Sequence, residues 1–299
     1  MFEYLCSTSY PTGFDINVLS TTNITFYIIN HRPFGSVIEK FWHNPEEDHL
    51  TFIKTIPIPF SSAGGAPSPN DIFALPESDD KNAFFVTNDH QFKEGFLRTI
   101  EDVARLPLGH LSYFSDDEGW KIVAKNLAYA NGLTGTKKVT AIDGDQAPTN
   151  TLYVSCLGAG LIRAFSRSYG SPQVYPVQDI LLDAGADNPS LSYPSQSQLL
   201  VAAYPEPLVV QQYVFGPEEE RPACPVVVYS FSTSQVGSTF YGKGYTGEVA
   251  VETVYADQKG LLGNATSTAV LVESKEGGKG DLYLTGLLME GITRCRNFM

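Results

Sequence analysis

A chain of 299 residues with 42% hydrophobic and 18% charged residues is long enough to bury a sizeable core and too apolar to be disordered. Its formal net charge of −13 and pI near 4.8 oppose contact with phosphate backbones and anionic membrane surfaces, which argues against nucleic acid as a partner and otherwise serves solubility. Aromatics at 12%, with 26 Gly and 19 Pro, favour many short strands joined by tight turns, so an all-β fold is expected.

Taken in order, residues 6–15 read as a loop because Pro11 and Gly13 punctuate them. Residues 23–30, 36–42 and 50–57 read as strands, the first two joined by a turn at His31-Arg32-Pro33. A Ser-, Gly- and Pro-rich loop over 60–69 leads into a hairpin. Its first apolar run is Ile72 to Leu75 and its second is Ala83 to Val86, with a polar turn between them.

Residues 93–106 carry the one helical pattern, with Phe96, Ile100, Val103 and Ala104 at helical spacing and Pro107 and Gly109 ending it. Strands follow at 111–114 and 121–124, then at 149–165, 196–204, 268–273 and 279–296. The turn-and-strand unit recurs unevenly for propeller blades, which usually repeat every 40–50 residues or so, and periodicity alone leaves a β-sandwich open.

The hairpin organises the chemistry. In an antiparallel pair the start of one strand and the end of the next share an edge, so Asn70, Asp71, Asn88, Asp89 and His90 should converge. Amide and carboxylate oxygens gathered in that way suit calcium, although Asn and Asp are also ordinary turn formers. Cys6, Cys156, Cys224 and Cys295 show no paired spacing for zinc. Sequons at Asn23 and Asn264 permit glycosylation in a secreted chain. No apolar run approaches the roughly 18 residues of a membrane span, and no basic-then-apolar leader opens the sequence as given.

The pairing of Asn70-Asp71-Ile72 with Thr87-Asn88-Asp89-His90 resembles the serum paraoxonase/arylesterase family, calcium-dependent hydrolases related to the gluconolactonase and strictosidine-synthase-like group. The likeness continues in order through Tyr129-Ala130-Asn131-Gly132, Asp187-Asn188 and a last strand near Cys295, and covers most of the chain. It implies a six-bladed β-propeller forming one domain over residues 1–299, acting on small esters or lactones and pointing to secretion. It also implies two calcium ions. Asn70, Asn131, Asp187 and Asn188 would hold the catalytic ion, which polarises the carbonyl for attack by water, and Asp71 the structural one.

By the same resemblance His31 belongs to a pair of histidines that deprotonates water, Asp187 is a second candidate base, and Asn88, Asp89 and His90 line the tunnel. A hydrogen-bonded structural role for His31 is equally open. The helix at 93–106 would lie over the mouth of the site, with a surface helix packed on a blade as the alternative.

Two departures stand out. The family's first paired histidine is replaced by Thr12 in Pro11-Thr12-Gly13, which lines the tunnel but cannot serve as a base at neutral pH. Nothing before Cys6 matches the family's acidic N-terminal segment, whose cysteine bonds to the position of Cys295, so the first blade is expected to be incomplete at its N-terminus. The alternative reading is a catalytically impaired propeller that keeps calcium as structural cement and serves as a binding module. A sugar lactonase or strictosidine-synthase-like protein would share the scaffold with other tunnel residues.

Overall fold

The structure is a computed structural model that describes residues 10–60, 63–75, 82–137, 150–168, 171–236, 248–262, 264–274 and 279–298. Its packing divides the chain into two compact units. The first holds residues 1–133, 137–150 and 167–174, and the second the remainder.

In the first unit, β1 (Tyr10–Ser20), β2 (Asn23–Arg32), β3 (Gly35–His43) and β4 (Thr51–Pro57) form one antiparallel meander. A second follows from β5 (Pro69–Ala74), β6 (Phe84–Asn88), β7 (Gly109–Ser115) and β8 (Gly119–Leu127). Thr25, Tyr27 and Ile29 alternate inward on β2, as strand geometry requires of a half-buried face. Tyr27, Ile29, Ile38 and Ile56 of the first meander meet Ile72, Ala74, Phe84 and Val86 of the second in one core. Phe84 is fully buried there, its ring 5.1 Å from Phe114 and 5.7 Å from both Tyr27 and Trp120.

The expected loop over 6–15 is corrected by this arrangement within its described residues. Tyr10 onward is strand, so the first meander has all four strands and is not incomplete. Pro11 and Gly13 are tolerated because the register between Pro11 and Phe14 slips, leaving Pro11 opposite Asn30 and Phe14 opposite Ile28. Asp15 then anchors the strand, accepting the Ala74 N–H at 2.8 Å and the Lys137 ammonium at 2.6 Å.

The predicted helix is present as α1 (Phe96–Val103), in the connection from β6 to β7. Strand β9 (Ala130–Gly135) begins in this unit and ends in the second.

There β10 (Thr151–Cys156), β11 (Leu161–Arg167) and β12 (Val174–Leu181) continue a meander, with Thr136 N–H donating to the Thr151 carbonyl at its edge. The fourth meander is β13 (Gly185–Leu191), β14 (Gln198–Tyr204), β15 (Val226–Ser232) and β16 (Glu252–Asp257), and the fifth is β17 (Thr266–Val272), β18 (Gly280–Gly286) and β19 (Thr293–Phe298). The last two join into one seven-stranded sheet through a parallel contact of Asn188 with Thr268.

A second helix, α2 (Pro207–Phe215), fills the connection from β14 to β15, the same place in its meander that α1 takes in the second. Blade-like meanders thus account for the all-β expectation. Among the described residues there are five of them.

Candidate active site

Three of the meanders open with the same irregularity. In β5 Pro69 pairs with Asn88 and Ile72 with Val86, so Asn70 and Asp71 together oppose Thr87. In β13 Ala186 pairs with Ala203 and Pro189 with Val201, so Asp187 and Asn188 oppose Ala202. In β1 Thr12 and Gly13 oppose Ile29. Two residues against one is a β-bulge, which bends the strand and re-aims its side chains. Of the residues singled out from the sequence, Thr12, Asn70, Asp71, Asp187 and Asn188 therefore occupy the bulges, a feature that no hydrophobic alternation discloses.

In the first unit Thr87 knits the donors together. Its hydroxyl donates to the Asn131 carbonyl at 2.6 Å and accepts the Asp71 N–H at 2.9 Å. The Asp71 carboxylate accepts the N–H groups of Ile72 at 2.9 Å and Leu133 at 2.7 Å. Gly13 passes directly over this point. A Cβ there would lie 2.5 Å from the Asn70 carbonyl oxygen and 2.6 Å from Asp71 Oδ1, so only glycine fits.

In the second unit Asp187 is 5% exposed and accepts a 2.7 Å hydrogen bond from the Tyr204 hydroxyl. The side-chain amides of Asn70, Asn131 and Asn188 make no hydrogen bond among the described residues. Amide oxygens at these places are donors of the kind that a hard cation accepts, and this fits the calcium implied by the resemblance. No group of three or more His, Cys, Asp or Glu side chains among the described residues is placed to hold a metal.

His31 stands between two hydroxyls, with Nε2 3.2 Å from Thr12 Oγ1 and Nδ1 2.8 Å from Ser36 Oγ. Thr12 is thus brought against His31 across the first bulge. Burial pushes the His31 imidazole below its ordinary value, against the pull of Asp89, and Lys93 adds to the lowering.

Asn88 is fully buried and committed. Its Oδ1 accepts the Ser68 N–H at 2.8 Å and its Nδ2 donates to the His90 carbonyl at 2.8 Å. His90 lies 3.0 Å from Asp89 and 2.5 Å from Asp102 of α1, with its ring edge-on to Tyr129 at 4.2 Å between centroids. Burial raises the Asp89 carboxyl, but His90, Ser68 and Arg98 outweigh it and hold the group below the usual carboxylate range.

Through Asp102, His90 ties α1 to the end of β6. Glu101, only 2% exposed, adds a second tie by accepting the N–H groups of Gln91 and Phe92 at 2.9 and 3.1 Å. Cys6 lies outside the described residues, and Cys295 is half-buried and unpaired among the described ones. Sequence reasoning did not single out Thr87, Ser36, Tyr204, Glu101 or Asp102. The acid pair at positions 101 and 102 of a predicted helix was the one available signal.

A family model described as Arylesterase matches residues 6–274. Serum paraoxonase/arylesterase 2 of Canis lupus familiaris is 29% identical over 195 residues, covering 65% of this chain and 49% of that protein. Serum paraoxonase/arylesterase 1 of Mus musculus is 26% identical over 260 residues, covering 82% and 66%. The chain thus spans about half the length of the dog relative and two thirds of the mouse one. Among solved structures, the GH93 alpha-L-arabinofuranosidase of Fusarium graminearum with arabinobiose matches at TM-score 0.52 and 10% identity, covering 98% of this chain and 80% of that one, a likeness of fold alone.

Proposed function

Because the chain belongs to the arylesterase family, we propose that it is a calcium-dependent hydrolase that transfers the acyl group of small carboxylic esters and lactones to water. The observation that carries this reading is the family match over residues 6–274, with Asn70, Asn131 and Asn188 offering the amide oxygens that a hard cation accepts. On this reading the chain is a six-bladed propeller domain over residues 1–299, in which Asn70, Asn131, Asp187 and Asn188 would hold one calcium and Asp71 another.

Bound there, the ion would polarise the substrate carbonyl. Neutral amides suit that task because they leave its positive charge uncancelled. His31, kept unprotonated by burial, accepts the proton, with Asp187 as a second acceptor. The Thr87 hydroxyl holds the Asn131 and Asp71 backbones in register. Asp102 ties α1 to His90 beside this set, and on this reading α1 would lie over the mouth of the site.

The replacement of a family histidine by Thr12 favours a second reading, a calcium-stabilised propeller that binds ligands without turnover. Hydrolysis of an aryl ester and an aliphatic lactone, with added calcium and after chelation, separates the two. Turnover that requires calcium and is lost in Asn70→Ala supports the hydrolase. A folded, calcium-binding chain inactive on both substrates supports the binding module.

A further inference from the structure

In the arrangement Thr12–His31–Ser36 a hydroxyl, a base and an orienting group stand in line. Thr12 is exposed, on a bulge that turns its side chain out of the regular strand alternation. Its Oγ1 is 3.2 Å from His31 Nε2, within the reach of roughly 2.6–3.2 Å over which a base activates a nucleophile. Buried Ser36 holds the far side of the ring at 2.8 Å, and with the ring proton directed to Ser36 the Nε2 lone pair faces Thr12. Burial keeps the imidazole unprotonated at neutral pH, and the nearby Asp89 charge favours the imidazolium that forms when a proton arrives.

We propose that Thr12 is a covalent nucleophile, so that hydrolysis by this chain proceeds through an acyl-threonine. The inference rests on the ester and lactone hydrolase reading. In the first half, the Thr12 Oγ–H proton passes to His31 Nε2, Oγ bonds to the acyl carbon, and the bond from that carbon to the alkoxy or aryloxy oxygen breaks. The leaving oxygen takes the proton from His31. In the second half, water gives a proton to His31 and its oxygen bonds to the acyl carbon. The carbon–Oγ bond then breaks, and Thr12 recovers its proton from His31. No oxidant or co-substrate beyond water is needed. Threonine thus restores, as a nucleophile, a position where it is useless as a base.

The test is reaction of the full chain with a fluorophosphonate, an irreversible probe of activated hydroxyls. Peptide mass spectrometry locates the label, and aryl-ester turnover is followed in parallel. The expected result is a label on Thr12 that disappears in Thr12→Ala and His31→Gln and persists in Thr12→Ser. Turnover is expected to fall about 100-fold or more in the alanine variant. Circular dichroism of each variant confirms folding. Turnover with no label on Thr12, and undiminished in Thr12→Ala, overturns the acyl-threonine and leaves the hydrolase reading standing. A label on Thr12 without turnover of any ester or lactone upholds the nucleophile and overturns that reading. Absence of both overturns both.

Discussion

The hydroxyl of Thr87 donates to the main-chain carbonyl of Asn131 at 2.6 Å, and the two residues lie 44 positions apart in the chain. Thr87 is fully buried, and its oxygen also serves the Asp71 N–H. Thr87→Val keeps the shape and removes both bonds, leaving a buried donor and acceptor stranded. A loss of about 1–3 kcal/mol is expected. Urea unfolding checks it. The midpoint should fall with an unchanged slope, and an unchanged midpoint would show that Thr87 is only filling space.

Glu101 should decide whether α1 stays in place. With its carboxylate gone in Glu101→Ala, the Gln91 and Phe92 N–H groups lose their acceptor. Among the described residues the helix then keeps the Asp102 contact with His90 and the Arg98 donation to the Phe92 carbonyl. Hydrogen exchange over residues 91–104 should quicken by about tenfold or more while the strands keep their protection, since one tie of about 1.4 kcal/mol is a factor of ten in local opening. Equal exchange in both proteins would mean that Glu101 is dispensable.

The lowered His31 value has two consequences of one sign. A base works unprotonated, so the rate should rise with pH through a midpoint beneath 6.5, the ordinary value, and be level at neutrality. Asp89→Asn removes a charge that raises His31 and should carry the midpoint further down. Lys93→Ala removes one that lowers it and should carry it up. Stability follows the same direction. The unfolded chain takes up the His31 proton more readily than the folded one, so folding free energy declines as pH falls through about 6.5 and below. A pH–rate profile on the three proteins measures these shifts.

Calcium should stabilise the chain as well as activate it. A ligand that binds only the folded state adds about 2.7 kcal/mol at a free concentration of 100 times its dissociation constant. The melting temperature should therefore rise with calcium and return after chelation. Asn131→Ala should need more calcium for the same rise, because it removes an oxygen donor without removing a hydrogen bond. A melting temperature indifferent to calcium would count against both calcium readings.

The legible part of this molecule was its hairpins. Apolar runs around Asn70 and Thr87, separated by a polar turn, place the two strand ends at one edge, and the structure pairs Pro69 with Asn88 there. The stretch from Tyr10 was misread because Pro11 and Gly13 are turn residues by habit, and a bulge that accommodates both has no signature in alternation. Helix α2 was missed for a related reason. Leu208-Val209-Val210 is apolar with two β-branched valines, and the segment has no continuous polar face, so the one cue was Pro207 at its first turn. Thr87 was invisible as a linker because a threonine in a strand is expected on any grounds.

On either side of each bulge the strand pairing closes as though the extra residue were absent, with Ala186 on Ala203 and Pro189 on Val201. The scaffold and the chemistry are therefore separable inheritances. Shortening β13 by one residue at Asp187 or Asn188 would leave a plain ladder and an intact fold with one of the two proposed donors gone. The same slack is what lets Thr12 stand beside His31, since the ladder asks nothing of that side chain.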